Sequence, residues 1–136
     1  MDKVFVDTNI ILDWLGKRAT YFKYAKQLFQ KGEDKKIIIL ISTMSFISTE
    51  YILRKQIGKQ KAKITLAAIR TICRVCESGE KEIDLSLVSS FKDFEDAFQY
   101  YNALNNSANI IITRNPKDFS KSTIPVMSAE EYLKTI

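Results

Sequence analysis

Val4-Phe5-Val6-Asp7-Thr8-Asn9-Ile10-Ile11-Leu12-Asp13 is the stretch from which the rest of the chain can be read. Lys3 to Val6 has the composition of a short buried strand, and it runs straight into Asp7-Thr8-Asn9, residues suited to ending a strand and capping a helix. A helix to about Leu15 follows, and Gly16 breaks it. Tyr21 to Lys31 then repeats apolar residues at helical spacing until Gly32 closes a second helix. In an open parallel sheet, ligands bind at the carboxyl ends of the strands, so Asp7 is open to two readings, a helix cap or part of a site.

The same logic extends outward. Lys36 to Ile41 is β-branched and continuously apolar, the pattern of a central strand covered on both faces. Ser42 or Thr43 caps a helix to about Ile57. Gly58 separates it from a long helical pattern, Lys61 to Glu77, with Ile64, Ala67, Ala68, Ile72 and Val75 inward. Ile83 and Leu85 predict a short strand, and Asp96 to Leu104 a helix. Asn109 to Thr113 is a buried strand, Ile124 to Met127 an edge strand, and Ser128 to Lys134 a terminal helix. This alternation implies an α/β fold, a central parallel sheet flanked by helices, formed by a single domain over residues 1–136.

Composition narrows the chemistry. With 46% apolar and 27% charged residues in 136, the chain can bury a core and lies far from the disordered class. A net charge of +5 points toward an anionic partner. There is no histidine, which excludes imidazole-based RNA cleavage and every Ser-His or Cys-His nucleophile scheme. Hydrolysis must rest on carboxylates, lysine or metal. Cys73 and Cys76, in what reads as a helix, cannot complete a zinc site or a disulfide framework. The longest apolar run, Ile37 to Ile41, is far below the ~20 residues of a membrane span, so a cytoplasmic protein is expected. Four glycines without a Gly-rich strand-to-helix turn argue against nucleotide binding.

The acids carry the remaining signal. On the helix after the second strand, Phe46, Ile47, Tyr51, Leu53 and Ile57 mark an apolar arc that contains Glu50, with Ser45, Thr49 and Gln56 on the polar side. An inward carboxylate needs a partner, and two stand open: a shared site, or Arg54 at i+4. Asp96 opens its helix at the edge of the inward face, behind Asp93 as N-cap. The loop Thr113-Arg114-Asn115-Pro116-Lys117-Asp118-Phe119 leaves a buried strand on the same edge as Asp7. Carboxylates gathered there would repel one another unless a hard cation joined them.

Taken together, Val4 to Asp13, then Asp93-Phe-Glu-Asp-Ala-Phe-Gln-Tyr-Tyr-Asn-Ala-Leu104, then Ile110-Ile-Ile-Thr-Arg-Asn-Pro-Lys-Asp-Phe119 resemble PIN domains, in particular the VapC-like toxins of prokaryotic toxin–antitoxin pairs, in order and spacing over nearly the whole chain. The resemblance implies a three-layer PIN-like fold and an acidic pocket that binds Mg²⁺ or Mn²⁺ for endonucleolytic cleavage of an RNA substrate. Asp7, Glu50 and Asp96 match the catalytic acids, with Asp118 as a further metal ligand. Asn9, Thr113 and Asn115 match supporting positions, Asn115 standing where many relatives carry a fourth acid. Arg114 is the expected substrate contact, and a basic rim at Arg54, Lys55, Lys59, Lys61 and Lys63 is a second candidate. An antitoxin and a second copy of the chain are the expected partners, for which a surface near Trp14, Leu15, Tyr21 and Phe22 is a candidate. Two rival readings are a PIN-like scaffold that no longer cuts, and a Mg²⁺-dependent phosphotransfer domain, which would want an acid where Asn9 stands.

Overall fold

The computed structural model describes residues 1–136. The strands are β1 (Lys3–Val6), β2 (Ile38–Ile41), β3 (Cys73–Val75), β4 (Ile110–Ile112) and β5 (Val126–Met127), and all pair in parallel in the order β3-β2-β1-β4-β5. Seven helices connect and cover them: α1 (Thr8–Leu15), α2 (Ala19–Glu33), α3 (Thr43–Ile57), α4 (Lys59–Ile72), α5 (Glu80–Leu87), α6 (Phe94–Asn105) and α7 (Ala129–Leu133). A 3₁₀ turn, Pro116–Phe119, lies between β4 and β5.

Successive strand residues point to opposite faces of a sheet, and here both faces are buried. Val4, Val6, Ile39, Ile41, Ile110 and Ile112 enter one core with side chains of α1, α2, α3, α4 and α7. Phe5, Leu40 and Ile111 enter the other, against Tyr100 and Ala103 of α6. The three-layer α/β arrangement therefore follows from strands that carry no polar alternation. The order reverses at β1, which pairs with β2 on one side and β4 on the other. The crevice at the carboxyl ends of β1 and β4 is the topological switch point, where such sheets bind ligands.

Several local expectations are corrected. Gly32 does not close α2 but lies inside it. A β-carbon there would meet Ile39 Cδ1 at 2.6 Å, so the glycine serves close packing of α2 on β2. The helix after Gly58 ends at Ile72, and Cys73 to Val75 leave it to pair with Ile39 to Ile41 as an edge strand. Its buried residues are Ala62, Leu66 and Ile69, whereas Ile64 is exposed. Ile83 and Leu85 belong to a helix, α5, whose start is tied by the Gly79 N–H donating to Glu82 Oε1 at 2.7 Å. Gly58, at φ 86°, makes the turn between α3 and α4 in a backbone region that side chains disfavour.

The two cysteines are free and buried, and burial pushes both thiols up to about 12, which leaves almost no thiolate for metal or redox chemistry. Trp14 stacks on Phe29 with ring centroids 4.3 Å apart, and Leu15 packs on the same core, so of the proposed docking surface near the first helices Tyr21 alone is well exposed. No helix is long and apolar enough to cross a membrane.

The α2–β2 approach is testable by a double-mutant cycle. Gly32→Ala should destabilise the fold through the collision with Ile39, and Ile39→Val, which lacks the colliding methyl, should recover about 1 kcal/mol of that loss in the double variant. Strict additivity of the two changes in denaturant unfolding would refute the close contact.

Candidate active site

Asp7 follows β1 and caps α1, and the same carboxylate also takes side-chain donors from elsewhere in the chain. Its Oδ1 accepts the Thr8 N–H at 2.9 Å and the Gln99 side-chain amide at 3.3 Å, and its Oδ2 accepts the Thr113 hydroxyl at 3.0 Å. A carboxylate offers about four lone-pair directions. Three are taken by donors, which fixes the group and leaves it one direction for an external ligand. The register that sets Thr113 beside it comes from the sheet: the Asp7 N–H donates to the Ile112 carbonyl at 3.0 Å, and the Thr113 N–H to the Met127 carbonyl at 3.0 Å.

Beneath Asp7 lies a polar network. Gln99 donates to Ser45 Oγ at 2.8 Å, Thr8 and Ser45 share a hydroxyl contact of 2.6 Å, and the Ser42 hydroxyl donates to Ser45 Oγ at 3.1 Å. Ser42, Ser45, Thr49 and Gln99 are all buried, and Gln99 Oε1 has no hydrogen-bond partner. Neither Gln99 nor Ser45 was singled out as a site residue from sequence. The available signal was Gln99 three residues after Asp96, one turn along α6 on the same face.

Asp96 sits at the first turn of α6, where its N–H donates to the capping Asp93 at 3.1 Å. Burial pushes its carboxyl up to about 6, and the negative charges of Asp118, Asp93, Asp7 and Glu95 push the same way. Asp118, Asp93 and Asp7 thus lie within electrostatic reach of Asp96, and Asp118 lines the same hollow as Asp96. Glu50 is not among them. Its apolar arc is only partly inward: Leu53 is buried and Phe46 packs on the core, but Ser45 and Thr49 are buried beside them while Ile47, Tyr51 and Ile57 are exposed. The Glu50 carboxylate pairs instead with Arg54 at 3.2 Å. The cause is the polar network under Asp7, which claims the hydroxyl face of α3 for the interior.

Three further expectations are corrected by geometry. Asn9 Oδ1 accepts from Arg18 at 3.3 Å rather than supporting Asp7. The Asn115 side chain is exposed; its backbone N–H donates to Thr113 Oγ1 at 3.2 Å. Arg114 is committed elsewhere: it lies 3.1 Å from Asp13 and over the Tyr21 ring at 4.2 Å. Asp13 is fully buried, and burial raises its carboxyl against the pull of Arg114 and Arg18. Stripping a buried carboxylate of its counter-charge costs about 3–5 kcal/mol, so Arg114 stays with it.

No three acidic side chains approach closely enough to share one ion by themselves. Mg²⁺, however, is commonly held by one or two carboxylates, with waters and substrate phosphates supplying the rest. The open lone pair of Asp7 and the crowded negative charge at Asp96 fit that mode of binding. Softer ions would find neither imidazole nor thiolate here.

The family model of the PIN domain matches residues 3–117. Ribonuclease VapC1 of Aquifex aeolicus (strain VF5) is 30% identical, the alignment covering 96% of this chain and 93% of that protein. Among solved structures, VapBC-1 from nontypeable Haemophilus influenzae superposes with a TM-score of 0.71 at 14% identity, covering 94% of this chain and 98% of that one. A toxin–antitoxin complex from Klebsiella pneumoniae gives 0.68 at 22% identity, covering 93% and 97%.

Because the fold raises the Asp96 carboxyl from 3.8 to about 6, the ionised form is the disfavoured one. The resulting penalty is absent below pH ~4, grows between the unfolded and folded values and is full above them. Asp96→Asn should therefore raise the melting temperature in chelator at neutral pH, by ~4 °C for each kcal/mol relieved, with the gain vanishing in acid. A loss of stability at neutral pH would contradict this electrostatic picture.

Proposed function

This chain belongs to the PIN-domain family, and from that premise we propose that it is a Mg²⁺- or Mn²⁺-dependent endoribonuclease, the toxin of a toxin–antitoxin pair. The observation that carries the reading is that Asp7 and Asp118 lie within electrostatic reach of Asp96 at the switch point of a parallel sheet in a chain without histidine. Similarity to Ribonuclease VapC1 over nearly its full length supports the substrate class. Similarity to toxin–antitoxin complexes supports an antitoxin partner.

Asp7 and Asp96 would hold the ion, with Asp118 on the facing loop. Bound there, a divalent cation supplies a water of lowered pKa and neutralises charge developing on the scissile phosphate. The protein's part is positional. Thr113 and Gln99 keep Asp7 from rotating, Ser45 keeps Gln99 in place, and the Asp93 cap sets the direction of α6 and hence of Asp96. Glu50 is paired with Arg54; to join an ion held by Asp7 and Asp96 it would have to leave a partly exposed i,i+4 pair worth only about 0.3–0.5 kcal/mol.

The test is cleavage of RNA by the purified chain with Mg²⁺ or Mn²⁺. Chelator should abolish cutting, and Asp7→Asn should lower it by at least about 100-fold, the scale of losing one charge-stabilising group. Cutting that survives both would reject the metal mechanism. Bound RNA without any cutting would establish the scaffold reading in its place.

A further inference from the structure

Lys92, Lys117 and Lys121, with Ser90 and Ser120, wall a hollow that Asp93, Asp96 and Asp118 also line, so its positive charge is open to an anion once Asp93 caps its helix and a cation engages Asp96 and Asp118. Lysines placed beside carboxylates would ordinarily be expected to pair with them, yet every ion pair in the chain is made by an arginine: Arg18 and Arg114 with Asp13, and Arg54 with Glu50. The three lysines thus line the hollow without an ion-pair partner. All three residues are exposed, so an incoming anion can reach them.

The other means of holding an anion at this spot are already in use. The N-terminus of α6 would attract a phosphate, but the Asp93 carboxylate accepts its Asp96 N–H. Arg114 is bound to Asp13. Phe91, the aromatic in the wall, is half-buried and packs against Tyr100 with ring centroids 5.2 Å apart. What the hollow offers is charge on flexible stems, the chemistry that holds a phosphate as a point charge without reading sequence.

We propose that Lys92, Lys117 and Lys121 form a phosphate-binding subsite that holds the RNA backbone beside the scissile linkage. This rests on the endoribonuclease reading and locates the strand: it crosses from the acids at the switch point over the 3₁₀ turn. The lysines of α4, Lys59, Lys61 and Lys63, play no part in it.

The experiment uses the full chain and fluorescein-labelled single-stranded RNA oligonucleotides of differing sequence. Binding is followed by anisotropy in chelator across a salt series, and cleavage is measured in Mg²⁺. The triple variant Lys92→Ala/Lys117→Ala/Lys121→Ala is compared with wild type and with Lys59→Ala/Lys61→Ala/Lys63→Ala. A matched Lys→Gln triple, which keeps much of the stem, and thermal melting of each variant separate a binding loss from a folding loss. The expected result is a drop in affinity of at least tenfold at low salt for the first triple. The slope of log affinity against log salt should shrink by about 2, three phosphates at ~0.7 each. The loss should be equal for all sequences, with KM raised and kcat little changed. The α4 triple should stay close to wild type. Unchanged affinity and slope in the first triple, with cleavage by wild type intact, overturns the subsite and leaves the endoribonuclease standing. Failure of wild type to bind or cut any RNA overturns both.

Discussion

Asp7 is held by three donors from three different parts of the chain: its own helix start, α6 and the end of β4. The Thr113 hydroxyl reaches it because β1 lies beside β4 in the observed register, while the Thr8 N–H is local. The constraint works in both directions. A carboxylate so close to the core requires hydrogen bonds to be tolerable, and the side chains that supply them, Thr113 and Gln99, are buried themselves, as is Ser45, which accepts from Gln99. The hydroxyl face of α3 and the inner face of α6 are set by that demand as much as by apolar packing.

This explains where sequence and structure part company. Long apolar strands and the glycine-bounded helices could be read directly, because burial on both faces leaves a continuous run and helical spacing leaves a repeat. Harder were the elements whose identity depends on neighbours. Cys73 to Val75 continues the spacing of α4, and only pairing with β2 makes it a strand. Ile83 and Leu85 alternate like a strand, yet the acids at Glu80 and Glu82 sit in the first turn of a helix. Of the candidate site, the positions of Asp7 and Asp96 were legible because they stand where a strand ends and a helix begins. Glu50 left two readings open, and the structure shows the pair with Arg54; hydrophobicity alone could not mark the interior of α3, where Ser45 and Thr49 are buried beside Leu53.

The polar interior also divides the basic residues into two classes. Arginines are spent on internal order: Arg114 and Arg18 on Asp13, Arg54 on Glu50. Lysines form no ion pair, and Lys23, Lys26 and Lys55 lie over aromatic rings instead. Such a division suits a protein that must keep a buried carboxylate fixed and at the same time present a positive rim, since the planar guanidinium suits fixed pairing and the ammonium suits mobile, hydrated contact.

The sheet ends at both sides in very short strands, three residues in β3 and two in β5. A visiting backbone laid along either margin would find only a couple of rungs to join, so the fold is poorly suited to being extended by strand addition or to stacking into fibrils. Any polypeptide that docks on this molecule must do so against helices, through side chains, and its recognition will be written in the shapes of those faces rather than in shared main-chain ladders.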